Sequence, residues 1–85
     1  MNKSHQIPSG WLISPKGDQM ILFIKDPMSN KNLIKFYIDN WSALNGLRSK
    51  FKSRKIMLQD DAFRIWNNLI ENGWNQINPL QKKAA

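Results

Sequence analysis

The feature that most constrains this chain is the spacing of its turn residues. "SPKGD" at 14–18 and "DPMSN" at 26–30 each gather Pro with Gly, Asp, Ser or Asn inside five residues, a composition that suits tight reversals. "GWLIS" (10–14), "QMILFIK" (19–25) and "NLIKFYID" (32–39) lie around these turns and are rich in strand-forming residues. A parallel neighbour needs a crossover of a dozen or more residues, which these connections cannot supply. Successive strands must therefore pair antiparallel, as a meander.

The remainder reads less uniformly. "DNWSALNGL" (39–47) is expected to be a loop anchored by Trp41, followed by a basic strand over about 48–57. Ala62, Phe63, Trp66, Leu69 and Ile70 recur at helical spacing, which predicts a helix from Asp60 to Asn72 with Asp60 and Asp61 at its positive end. Gly73 suits the left-handed residue after a helix, which would bring Trp74 back against Leu69. "WNQIN" is a candidate last strand before Pro79. The expected fold class is α+β: a small antiparallel β-meander of three to five strands with one C-terminal helix packed on one face. The expected organisation is a flexible arm over 1–9, one domain over 10–79 and a flexible basic tail over 80–85.

Composition narrows the chemistry. With 85 residues and no cysteine, the chain has a thin core and neither disulfides nor thiolate metal sites. Its single histidine, His5, lies in the arm, and Asp60 and Asp61 are adjacent, so on a helix they diverge by about 100° instead of sharing a substrate. No Walker spacing accompanies the glycines. The expectation is a non-enzymatic protein without metal or cofactor. The longest apolar run, "MILFI" at 20–24, falls far short of the roughly 20 residues that span a bilayer, and the N-terminus lacks an apolar signal region. A cytoplasmic protein without membrane insertion is expected.

The strands carry apolar residues on both faces. Met20, Leu22 and Ile24 oppose Ile21 and Phe23; Leu33 and Tyr37 oppose Ile34, Phe36 and Ile38. One helix covers one face, so the other needs barrel curvature, a second copy or a partner. The residues expected at such a protein interface are Ile21, Phe23, Leu33, Tyr37 and the loop residue Trp41. Trp11, Trp66 and Trp74 are expected in the core.

The net charge is +7, and "RSKFKSRK" concentrates five cations, Arg48, Lys50, Lys52, Arg54 and Lys55, in eight residues. A regular strand would align Arg48, Lys50, Lys52 and Arg54 on one face at about 6.6 Å spacing, which could follow a phosphate backbone or an acidic partner. Ile56 and Leu58 continue that face, however, so a bulge or loop is expected before about Arg54. Two plainer accounts compete. Lysines protect edge strands against aggregation, and ten Asn, ten Ile and ten Lys mark an A/T-rich codon bias that raises charge without selection for binding.

"GWLI" at 10–13, "KSRKI" at 52–56 and "WNNLIENGW" at 66–74 together resemble a family of small cyanobacterial and cyanophage proteins of unknown function. Its pattern opens on Gly-Trp-Leu, carries Lys-x-Arg-Arg, and closes on Leu-Trp-x-x-Leu-x-x-x-Gly-Trp. Lys55 stands here in place of the second arginine, which weakens bidentate phosphate recognition, and Gln59 in place of Pro or Ser. The resemblance implies the architecture and carries no activity. The resulting expectation is a binding or adaptor module acting through a protein partner or as a homodimer. The alternative is weak, sequence-independent nucleic-acid binding through 48–55.

Overall fold

A computed structural model describes residues 8–78. Five strands and one helix follow in the order β1 (Gly10–Ile13), β2 (Gln19–Lys25), β3 (Lys35–Leu44), β4 (Leu47–Leu58), α1 (Gln59–Glu71) and β5 (Asn75–Ile77). They form one antiparallel sheet ordered β4-β3-β2-β1-β5. The expected tail lies outside the described residues, as does the arm apart from residues 8 and 9. Pro8 is fully buried, so packing begins before the expected boundary at Gly10.

The first reversal is held by Ser14. Its amide donates to the Gln19 carbonyl at 2.9 Å, while its hydroxyl oxygen accepts from the Asp18 and Gln19 amides at 3.1 Å each. The hydroxyl in turn donates to the Asp18 carboxylate at 3.0 Å, so this buried hydroxyl both donates and accepts within the turn.

Residues 39–47 are strand and turn, not the expected loop. β3 runs through Trp41 to Leu44, and Asn45-Gly46 turns the chain with φ of 54° and 78°. Two successive left-handed residues make a type I′ turn, whose twist matches the strands it joins. The same turn fixes Leu44 opposite Leu47.

The hairpin that follows is uneven: β3 has 10 residues and β4 has 12. The register shifts once between Asn40 and Trp41 and again between Trp41 and Ala43, which absorbs the two extra β4 residues. The first shift leaves Lys52 without an opposite number, which is the bulge expected before Arg54. Each bulge bends and further twists the bulged strand.

α1 carries the chain from the β4 edge to β5 on the far edge. Its 13 residues span about 20 Å, close to the width of five strands at about 4.8 Å spacing. Ala62 and Trp66 share a buried cluster with Leu12, Phe23, Phe36 and Ile38, and Trp66 meets Phe23 edge to face at 5.0 Å. Asp60 and Asp61 stand in the first turn, but neither caps an amide through its side chain. The end is tied off as expected: the Trp74 amide donates to the Leu69 carbonyl at 3.0 Å and the Gly73 amide to the Ile70 carbonyl at 3.1 Å. This is the Schellman pattern, with Gly73 at φ 94°.

Candidate binding surface on the β3–β4 hairpin

Cross-strand register assigns the side chains to faces. Leu12, Ile21, Phe23, Phe36, Ile38, Lys55 and Met57 occur in mutually opposite pairs on the side that shares its core with α1. Trp11, Met20, Leu22, Ile24, Tyr37, Asp39, Trp41, Phe51, Arg54 and Ile56 alternate with them on the other side. The expected interface grouping is therefore divided. Phe23 is 1% exposed against Trp66, so it presents no free surface, and Ile21 packs half-buried beside the same cluster. Leu33 lies off the sheet: its amide donates to the Asn30 carbonyl at 3.0 Å, and it borders a concavity of about 220 Å³ between residues 31–34 and 58–60. Tyr37 and Trp41 alone are on the face away from the helix.

That second face closes partly on itself. Met20 is 0% and Trp11 8% exposed, although no helix covers them. Met20 stands opposite Trp41, and the bulged end of the hairpin closes over Trp11. Trp41 meets Trp11 at 6.2 Å and Phe51 at 5.4 Å, both edge to face, and the Arg48 guanidinium lies 5.4 Å from the ring centroids of both tryptophans. Trp41 thus lies half-buried in β3 between other rings, not in the expected loop. Its indole nitrogen is buried without a hydrogen-bond partner among the described residues.

Further along the hairpin, Arg54 is also engaged. Its Nε and Nη2 donate to the two oxygens of Asp39 at 2.7 and 2.9 Å, and its guanidinium lies 4.4 Å from the centre of Tyr37. Hydrogen bonding to the Asp39 carboxylate, partly opposed by desolvation, holds the Arg54 pKa above its ordinary value. The fork-on-fork geometry belongs to a structural pair.

The five cations of residues 48–55 therefore do not act alike. Arg48 stacks on tryptophans and Arg54 pairs with Asp39. Lys50, Lys52 and Lys55 are exposed, and among the described residues no carboxylate forms an ion pair with any of them. The Lys50 backbone is fixed on β3 by the Ser42 hydroxyl, which accepts from its amide at 3.1 Å and donates to its carbonyl at 3.4 Å.

Apolar side chains stand among these lysines. Phe51 is 50%, Ile56 60% and Leu58 43% exposed. Ile24, Tyr37 and Ile56 are directly opposed across three strands, and Leu58 pairs with Lys35 at the next position on the same face. Strict alternation along β4 would put Phe51 on the face of Met57. The bulge at Lys52 instead brings it to the face of Arg54 and Ile56.

A family model described as protein of unknown function (DUF1651) matches residues 9–80. The chain belongs to that family. Its matched segment contains every strand and the helix, so the hairpin surface lies wholly within the family's domain. Neither the curated proteins nor the solved structures compared give a match. No helix among the described residues is long and apolar enough to cross a membrane.

Proposed function

We propose that this DUF1651 chain is a small non-enzymatic protein-binding module whose contact surface is β4 with the adjoining strip of Ile24, Tyr37, Ile56 and Leu58. One observation carries the reading: Ile56 and Leu58 stand 60% and 43% exposed on the regular part of β4, continuous with the half-buried Ile24 and Tyr37, and Lys50, Lys52 and Lys55 of the same strand form no ion pair among the described residues. An exposed apolar row bordered by charge is the form that docking surfaces take. The non-enzymatic part follows from the sequence, whose titratable groups form no recognisable acid–base or nucleophile set.

The alternative is nucleic-acid contact through Lys50, Lys52 and Lys55 with Phe51 as a stacking group. Its support is narrower, because Arg54 is committed to Asp39 and Trp41 is packed between rings.

Ile56→Asp and the triple variant Lys50/Lys52/Lys55→Ser both change exposed positions and should leave the fold intact. Affinity capture from the source organism with wild type and both variants should yield a protein retained by the wild type alone, confirmed by direct binding of the purified partner. A partner set unchanged by either variant would remove β4 from consideration.

A further inference from the structure

Resting on that reading of β4, we propose that the partner binds as an added strand: an extended, acidic polypeptide segment that pairs along the outer edge of β4.

β4 is the outermost strand of the sheet, 12 residues and about 40 Å long, and among the described residues nothing pairs with its outer side. An antiparallel ladder engages alternate residues toward each neighbour, so about half of the β4 amides and carbonyls point away from β3. Proteins usually blunt such an edge with bulges and lysines. Here the bulges are confined to the part before Ser53. From Arg54 to Leu58 the strand is in unbroken register with β3. That regular part alternates Ile56 and Leu58 on one face with Lys55 and Met57 on the other.

Charge selects among occupants. Two copies of β4 pairing edge to edge would bring Lys50, Lys52 and Lys55 of each copy together, and like charges facing each other across a ladder are destabilising. An acidic segment reverses the sign. Backbone chemistry discriminates further. Outward carbonyls need donors, which a polypeptide supplies at alternate residues and a phosphate backbone does not. The matching segment alternates apolar residues, laid beside Ile56 and Leu58, with carboxylates that reach Lys55 and, past the bulges, Lys52 and Lys50. This is strand addition, in which main-chain hydrogen bonds supply affinity and alternate side chains supply specificity.

The test uses the full chain and a fluorescein-labelled peptide about as long as β4, alternating glutamate with valine. A second peptide carries the same side chains with alternate amides N-methylated, and a third probe is oligothymidylate of similar charge. Anisotropy at low salt should show the first peptide binding at least about tenfold more tightly than the methylated one, the loss expected when several ladder hydrogen bonds cannot form. Amide exchange should slow within 47–58, and the Lys50/Lys52/Lys55→Ser variant should lose affinity. Equal binding of the methylated peptide would overturn strand addition while leaving β4 a binding surface. Tighter binding of oligothymidylate would overturn it in favour of nucleic acid. Failure of all three probes at low salt, together with a partner set indifferent to the β4 variants, would overturn both this inference and the proposed function.

Discussion

Asp39 and Arg54 stand opposite each other on β3 and β4 and close a two-pronged ion pair on the face away from the helix. The carboxylate is buried and the guanidinium is half exposed, so the arginine acts as a polar lid over the acid. Replacing Arg54 by Ala would leave a buried carboxylate without its partner, a larger cost than the pair's net contribution. Arg54→Ala should therefore lower the thermal midpoint clearly more than Lys52→Ala, although the two residues carry the same charge on the same strand. Equal midpoints by circular dichroism would show that the pair is incidental.

The pH dependence of that pair has a defined sign. Asp39 raises the Arg54 pKa, and a raised base contributes stability that is complete below its ordinary unfolded value and lost only as pH climbs through the higher folded one. Both lie far above neutrality. The difference in midpoint between wild type and Arg54→Ala should accordingly stay constant between about pH 7 and 9. A difference that shrinks across this window would mean that another group, titrating there, supports Asp39.

Phe23 and Ile56 test the assignment of the two faces. Phe23→Ala removes a ring packed on Trp66 and should cost about 3–5 kcal/mol, whereas Ile56→Ala should fall within about 0.5 kcal/mol. On the same argument Phe23→Asp should unfold the chain, so it cannot serve as a probe of association. Urea denaturation of the Ala variants decides the point, and comparable losses at the two sites would contradict the exposure of Ile56.

How far the sequence could be read follows from which signals are local. The Pro- and Gly-marked turns, the meander and the Gly73 helix stop depend on a few adjacent residues, and each was legible. The Asn45-Gly46 turn is equally local, a strong hairpin signal set between Leu44 and Leu47. The faces were harder to assign. Trp41 looked like a loop residue because nothing in its neighbourhood announces Trp11, Met20 and Arg48, which reach it from other strands. The five cations looked alike because the partners that separate them, Asp39 and the two tryptophans, are distant in the chain. The bulge at Lys52 was anticipated from conflicting alternation, but its effect on Phe51 depended on where the register slipped.

Gly73 offers a backbone test. Its φ of 94° disfavours any side chain, and an added Cβ would lie 3.3 Å from Cγ of Pro15 in the first turn. Gly73→Ala should destabilise by about 1–2 kcal/mol from the left-handed conformation alone, with a further increment if Pro15 cannot yield. Asn45→Gly is the matching control, because Asn45 also holds a positive φ and glycine accepts it without strain. A Gly73→Ala variant as stable as wild type would show that the helix end relaxes out of the Schellman geometry.

Deleting Lys52 tests the bulge itself. The residue has no partner on β3, and the first of the two register shifts that lengthen β4 occurs there. Without it, Phe51 follows Ser53 directly and stays opposite Trp41, so the pairing partners are kept and what is lost is the bend and added twist of the bulged strand. A flatter hairpin end would draw the Arg48 guanidinium and the Phe51 ring away from Trp11 and Trp41. The deletion should therefore shift tryptophan emission toward longer wavelength as Trp41 and Trp11 gain solvent. Lys52→Ala, which keeps the bulge residue and removes only the charge, should leave emission unchanged. If both variants emit like wild type, the curl of the hairpin does not depend on the extra residue.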